Sequence, residues 1–246
     1  MPLYTGIGGA LKKIKALYTG VGGTLKEMKT MYAGNEGALK QIYSSGTPLG
    51  DFEVGTEIQL YETTAGSAFG GSGYKPYILI EHDYPQSGVS LLMRKKLPTR
   101  SVSHGSNYNY TKNDNIDGYM LEHIAYLNEA AQSYLVDATW DVEYISSATI
   151  KSTTIQRKAI ALSYQEFMTI SCFTSSSDRK AFTESGVARA YHLRSVFVDK
   201  GSGYWDAIKN TGAKGSCSDT TSTNYSYRPV FAFSSNAPVV DGVIGG

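Results

Sequence analysis

Apolar and polar positions follow two rhythms along this chain, one up to about residue 45 and another beyond it. From Tyr4 the segment YTGIGGALKKIKAL is followed by YTGVGGTLKEMKTM from Tyr18 and YAGNEGALKQIYSS from Tyr32, three copies at a period of 14. In the first copy Leu11, Ile14, Leu17 and Tyr18 fall at i, i+3, i+6 and i+7, and Leu25, Met28, Met31 and Tyr32 repeat the spacing. On a helix these positions form one apolar stripe with the lysines opposite. The glycine pairs interrupt any continuous helix, since an interior glycine costs about 1 kcal/mol relative to alanine. The spacing favours short helices hinged at glycine, with a fibrous β-repeat as the rival because glycine turns also suit hairpins. In either form one unit is too small to bury its own stripe and needs neighbours or other chains. The expected assembly residues are therefore Tyr4, Leu11, Ile14, Tyr18, Leu25, Met28, Tyr32 and Leu39, in an arm spanning 1–45.

A turn-rich linker, 46–50, leads to a segment with strand-like alternation. Residues 54–61 alternate, 76–81 (PYILIE) and 90–94 (SLLMR) read as buried strands, and 153–162, 192–198 and 228–233 as later ones. Residues 116–136 carry a helical pattern with Asp117 as candidate cap, and 164–170 a short helix. Residues 65–73 and 101–118 look like loops. Strands around one or two helices predict an α+β domain over 51–236, followed by a flexible tail at 237–246.

Composition narrows the function classes. Charged residues make up only 18% of the chain, and polarity comes from Gly, Ser, Thr, Asn and 19 Tyr. That mixture suits contact surfaces pairing a rigid aromatic with adaptable polar groups, and equally suits strands that half-bury Tyr. Net charge is +1, divided as +4 on the arm and −3 beyond it, so nothing resembles the clustered basic patch that nucleic acid requires. No apolar run reaches membrane-span length, and glycine and lysine break up the N-terminal apolar runs, so no secretion signal is read. Cys172 and Cys217 form neither a disulfide framework nor a zinc motif and leave room for a single bridge.

Catalytic and metal-binding patterns are weak. The four histidines, His82, His104, His123 and His192, accompany no Gly-x-Ser-x-Gly elbow. His82 lies between Glu81 and Asp83, but strand neighbours point to opposite faces and need not converge on a metal. His123 reads as a packed or surface histidine of the predicted helix. Asp137, Asp141 and Glu143 are the carboxylates a glycan-hydrolysing site would draw on, given a cleft to face each other across. The expectation is a non-enzyme without cofactor or metal, with a polysaccharide-degrading enzyme and a purely structural decoration protein as alternatives.

Motif order adds a resemblance. YILIEHDYP, LLMRK, a helix with YLN, RKAIALSYQEF, His192-Leu193-Arg194-Ser195 and Tyr227-Arg228-Pro229-Val230-Phe231 occur in that order over about residues 50–236. The chain thereby resembles an uncharacterised domain family of tail and structural proteins from phages of Gram-positive hosts, often preceded by a similar repeat arm. His192 stands where that family usually has Trp. The resemblance implies a C-type lectin-like fold, also similar to formylglycine-generating-enzyme-like domains, that displays loops. It further implies a virion protein assembled in the host cytoplasm. Its implied partners are further copies of itself (a trimer among the candidates), other virion proteins, and a host-surface glycan or protein. The copper-using oxidases of that fold need closely placed cysteines, which this chain lacks, and Pro229 lacks the flanking groups of a lectin calcium site. Loops before the last strands are the exposed ones in such folds. They point to Tyr204, Trp205, Asp206, Asn224, Tyr225 and Tyr227 as binding candidates, with Trp205 and Tyr227 read as core residues and Asn224 and Tyr225 as the better contacts.

Overall fold

The arm folds as three hairpins. β1 (Tyr4–Ile7) pairs antiparallel with β2 (Ala10–Lys13), β3 (Tyr18–Val21) with β4 (Thr24–Glu27), and β5 (Thr30–Asn35) with β6 (Ala38–Ser44). The structure, a computed structural model, describes these six strands by their backbone and, beyond the arm, residues 46–63, 70–98, 102, 116–146, 149–197, 204–218 and 225–245. The expected helices are thus replaced by strands. The longest glycine-free run in the first two units, Ala10 to Thr19, is shorter than the roughly 12–15 residues an isolated helix needs. Gly8-Gly9 and Gly22-Gly23, the sequence between paired strands, are residues that two-residue hairpin connections favour. Register repeats with the sequence: Gly6, Gly20 and Gly34 lie opposite Leu11, Leu25 and Leu39. Ile14 and Met28 fall outside the described residues.

Beyond the arm the chain runs through β7 (Thr47–Pro48), β8 (Glu57–Glu62), β9 (Gly73–His82), β10 (Val89–Arg94), α1 (Ile116–Ile124) and α2 (Glu129–Gln132). It continues through β11 (Ala138–Ser146), β12 (Thr149–Arg157), β13 (Ala159–Ile160), α3 (Tyr164–Thr169), α4 (Ser176–Arg179), β14 (Ala181–Phe182) and β15 (Ala188–Val196). It closes with β16 (Tyr204–Ile208), β17 (Lys214–Ser218), β18 (Tyr225–Ser226), β19 (Val230–Ser234), β20 (Pro238–Val240) and β21 (Val243–Ile244). This is a mixed α+β domain, mostly strands with few helices.

An eight-stranded sheet runs β13-β19-β10-β9-β8-β21-β20-β7. A second sheet runs β14-β15-β16-β17 with β18 beside β15, and β11 and β12 form a separate two-stranded ribbon. β8 alternates as its sequence does, burying Ile58 and Leu60 while Glu57 stays exposed. β10 is buried at every position, as a central strand covered on both faces should be. The helical pattern of 116–136 breaks in two, because the Asn128 side chain accepts the Ala131 N–H and starts α2 afresh. Asp117 lies in the first turn of α1, where its buried carboxylate takes the Arg157 guanidinium at 3.0 Å.

The linker and tail expectations are corrected. Thr47–Pro48 pairs with β20, and residues 237–246, expected to be flexible, supply β20 and β21 with Ala237, Val239 and Ile244 buried. Their apolar side chains complete the sheet beside β8, with which β21 pairs in parallel.

A charged cluster crosses the core. Glu62 on β8 accepts from Tyr77 Oη at 2.7 Å and Arg94 Nε at 2.8 Å, and lies 3.2 Å from His123 Nε2 of α1, while His123 Nδ1 meets Tyr227 Oη at 3.2 Å. Burial pushes the Glu62 carboxyl up, but His123 and Arg94 outweigh it and hold it far below the usual range. This network ties α1 to the sheet. His123 is therefore a core residue.

Candidate functional site

A cleft of about 460 Å³ opens between the β11–β12 ribbon, the start of α3 and the β15–β16–β17 face. Its floor is an ion pair. Arg194 on β15, almost fully buried, holds both oxygens of Glu166 and also donates to the carbonyls of Asp141 at 3.1 Å and Ala161 at 3.0 Å. Glu166 is fixed by a capping box: its N–H donates to Ser163 Oγ at 3.2 Å, and Ser163 N–H donates back to Glu166 Oε2 at 2.8 Å. Tyr84 Oη donates to Glu166 as well. Burial raises the Glu166 carboxyl, yet Arg194 more than offsets this, so it stays ionised below the ordinary range. Burial and the Glu166 contact push the Tyr84 phenol well above its usual value. Behind the floor, Trp140 meets Tyr84 edge-on at 6.0 Å and lies 5.6 Å from the Arg194 guanidinium.

One wall is built on Asp206 of β16. Its Oδ2 accepts from Ser195 Oγ at 2.6 Å, and Ser195 Oγ in turn accepts the Tyr164 N–H at 2.8 Å. Lys214 Nζ lies 3.3 Å from Asp206 Oδ1 as an ion contact, but Oδ1 accepts no hydrogen bond among the described residues. The same ammonium sits 3.9 Å from the Tyr164 ring centroid and 5.0 Å from that of Phe197. Burial raises the Asp206 carboxyl; Ser195 and Lys214 pull it down, and the nearby Glu143 charge adds to the rise. The facing wall is β11, where Glu143 Oε2 accepts the Val196 N–H at 2.7 Å and Asp141 is exposed. Ser152 and Gln165 complete the rim.

The expected binding residues scatter. Asp206 lines the cleft; Trp205 and Tyr227 are buried in the core. Tyr204 and Tyr225 are half-buried, the Tyr225 ring standing 5.2 Å from the His192 ring, and Asn224 falls outside the described residues. Tyr204-Trp205-Asp206 form a strand rather than an exposed loop, because β16 sits between β15 and β17. Asp141 and Glu143 do enter the cleft, whereas Asp137 is not among its lining residues. Tyr84, Tyr164, Arg194 and Lys214 went unmarked, since each comes from a different segment. Ser163-x-x-Glu166 was the available signal, because a capping box fixes where its glutamate stands.

His82 hydrogen-bonds Ser90 Oγ at 2.8 Å and the Phe52 carbonyl at 2.9 Å, serving the local fold. Among the described residues no group of three or more His, Cys, Asp and Glu is placed to hold a metal, and no helix is long and apolar enough to cross a membrane. Cys172 and Cys217 are both free thiols. The chain matches no protein-family model, no curated protein and no solved structure.

Proposed function

We propose that this chain is a structural protein of a phage particle, a tail, fibre or baseplate component, and not an enzyme. In this reading the arm assembles with further copies or other virion proteins, and the globular domain, C-type lectin-like in kind, meets the host surface or a neighbouring virion protein. The observation that carries it is the arm. Each 14-residue unit closes into its own two-stranded sheet in one repeated register, and a two-stranded hairpin is marginal in water by itself. Such units gain stability by stacking on each other or on other chains. The globular domain, by contrast, has a continuous core of its own running from Leu49 to Ile244. Removing residues 1–45 is therefore expected to convert an oligomer into a folded monomer, read by light scattering on a sizing column. A full-length chain that runs as a monomer overturns the assembly reading.

A second reading, a glycan-hydrolysing enzyme, is favoured by one observation: Asp141, Glu143, Glu166 and Asp206 line a single cleft. Release of reducing ends from host glycans, abolished by Asp141→Asn, would establish it, and glycans left intact would exclude it.

A further inference from the structure

The cleft has a charge pattern that selects among ligands. Glu166 is committed to Arg194 and Asp206 is paired with Lys214. Asp141 and Glu143, two apart on β11, have no ion-pair partner among the described residues, so the cleft mouth keeps two uncompensated carboxylates. Phosphate-rich or otherwise anionic polymers would be repelled there. An ammonium is already accommodated in the same cleft, where Lys214 lies against Tyr164, Phe197 and Asp206. Hydroxyl and amide groups of Ser152 and Gln165 at the rim, with Tyr84 at the floor, supply the mix of polar and aromatic groups that suits a sugar ring.

We infer that this cleft binds a glycan bearing free amines, a polymer of unacetylated hexosamine, with an amine held at Asp141 and Glu143 and the sugar hydroxyls on Ser152 and Gln165. The inference rests on the host-contact reading above and names its ligand. An N-acetyl group would remove the positive charge and leave the two carboxylates unpaired, so the site discriminates by charge as well as by shape.

The test uses the full chain and two probes, a glucosamine tetrasaccharide and its N-acetylated counterpart, titrated calorimetrically. The amine form is expected to bind about tenfold or more tightly than the acetylated form and to weaken as salt rises. The Asp141→Asn, Glu143→Gln double variant is expected to lose about tenfold in affinity for the amine form while its melting temperature holds, since Gln keeps an acceptor for Val196 N–H. Equal binding of both probes, binding of neither, or affinity unchanged in the double variant overturns the inference. Adhesion of the full chain to host cells is measured in parallel. Adhesion that survives in the double variant refutes the ligand assignment and leaves the host-contact reading intact, whereas a wild-type chain that never adheres refutes that reading itself.

Discussion

His192 is fixed in one tautomer by its neighbours. Its Nε2 lies 2.9 Å from the Val102 carbonyl, which only accepts, so Nε2 carries the proton; Nδ1, 3.0 Å from Cys217 Sγ, then accepts from the thiol. Burial drives the imidazole pKa down to about 4 from an ordinary 6.5, so the ring stays neutral. The pair is a packing device, although a cysteine beside a histidine would suggest a nucleophile in an open cleft. Stability follows from the sign of the shift. Between pH 6.5 and about 4 the unfolded chain binds a proton that the folded chain refuses, so stability is complete above this window and falls as pH drops through it. From about pH 7 to about pH 5 the loss at this one residue is about 2 kcal/mol. Buried His123, whose pKa is also lowered, adds a loss of the same sign. Urea denaturation across that range should show the decline, and His192→Gln should be less stable throughout yet show a shallower slope. An unchanged slope in the variant would contradict the assignment.

At the scale of elements, the last strands decide how the domain closes. Ile244 is fully buried on β21, which pairs with β8, and Asn128 Nδ2 donates to the Gly245 carbonyl at 2.7 Å. Ile244→Ala is expected to cost about 2–4 kcal/mol, measured by thermal or urea unfolding, whereas the same change in a loose tail would cost close to nothing. The contrast also explains which elements were legible. β8, β9, β10, β15 and β19 carry either strict alternation or a short apolar run, patterns whose physical cause is local. α3 was legible as a short helix for a related reason, and its capping box, Ser163 with Glu166, was a further local signal. β20 and β21 were hidden because Pro238, Asp241 and Gly242 look like punctuation, and the short hairpin they form joins the sheet only through partners far off in sequence, β7 and β8. β16 and β17 were hidden because Asp206 and the Lys214–Ser218 segment read as polar loop, although both strands are paired within the second sheet. In the arm the two periods compete over units too short to separate them, and the stripe at i and i+3 lost to the hairpin. The cleft was half legible for the same reason: Asp141, Glu143 and Asp206 were marked by type, while the pairing that brings them opposite one another is long-range.

For the whole molecule, the proposed assembly depends on a repeat whose unit of structure equals its unit of sequence. Each hairpin is built on one period, the third reaching back to Thr30 of the preceding copy, and the three place glycine opposite leucine in the same register. In a stacked array stability is close to a sum of unit terms and neighbour terms, so length and phase have separable effects. Deleting residues 18–31 removes one whole period and leaves Tyr32 following Leu17 just as Tyr18 does now. The shortened arm keeps its phase, and the oligomer should persist with the same subunit number but dissociate at higher concentration than before. Deleting residues 18–24 takes half a period; it removes β3 and leaves the β4 sequence without its partner, so the remaining units no longer present one continuous pattern. That second variant should fall apart to folded monomers at concentrations where the first remains associated, as read by sedimentation velocity. Equal behaviour of the two would mean that arm length or charge, rather than the hairpin repeat, drives association, and the assembly role assigned to the hairpins would fail.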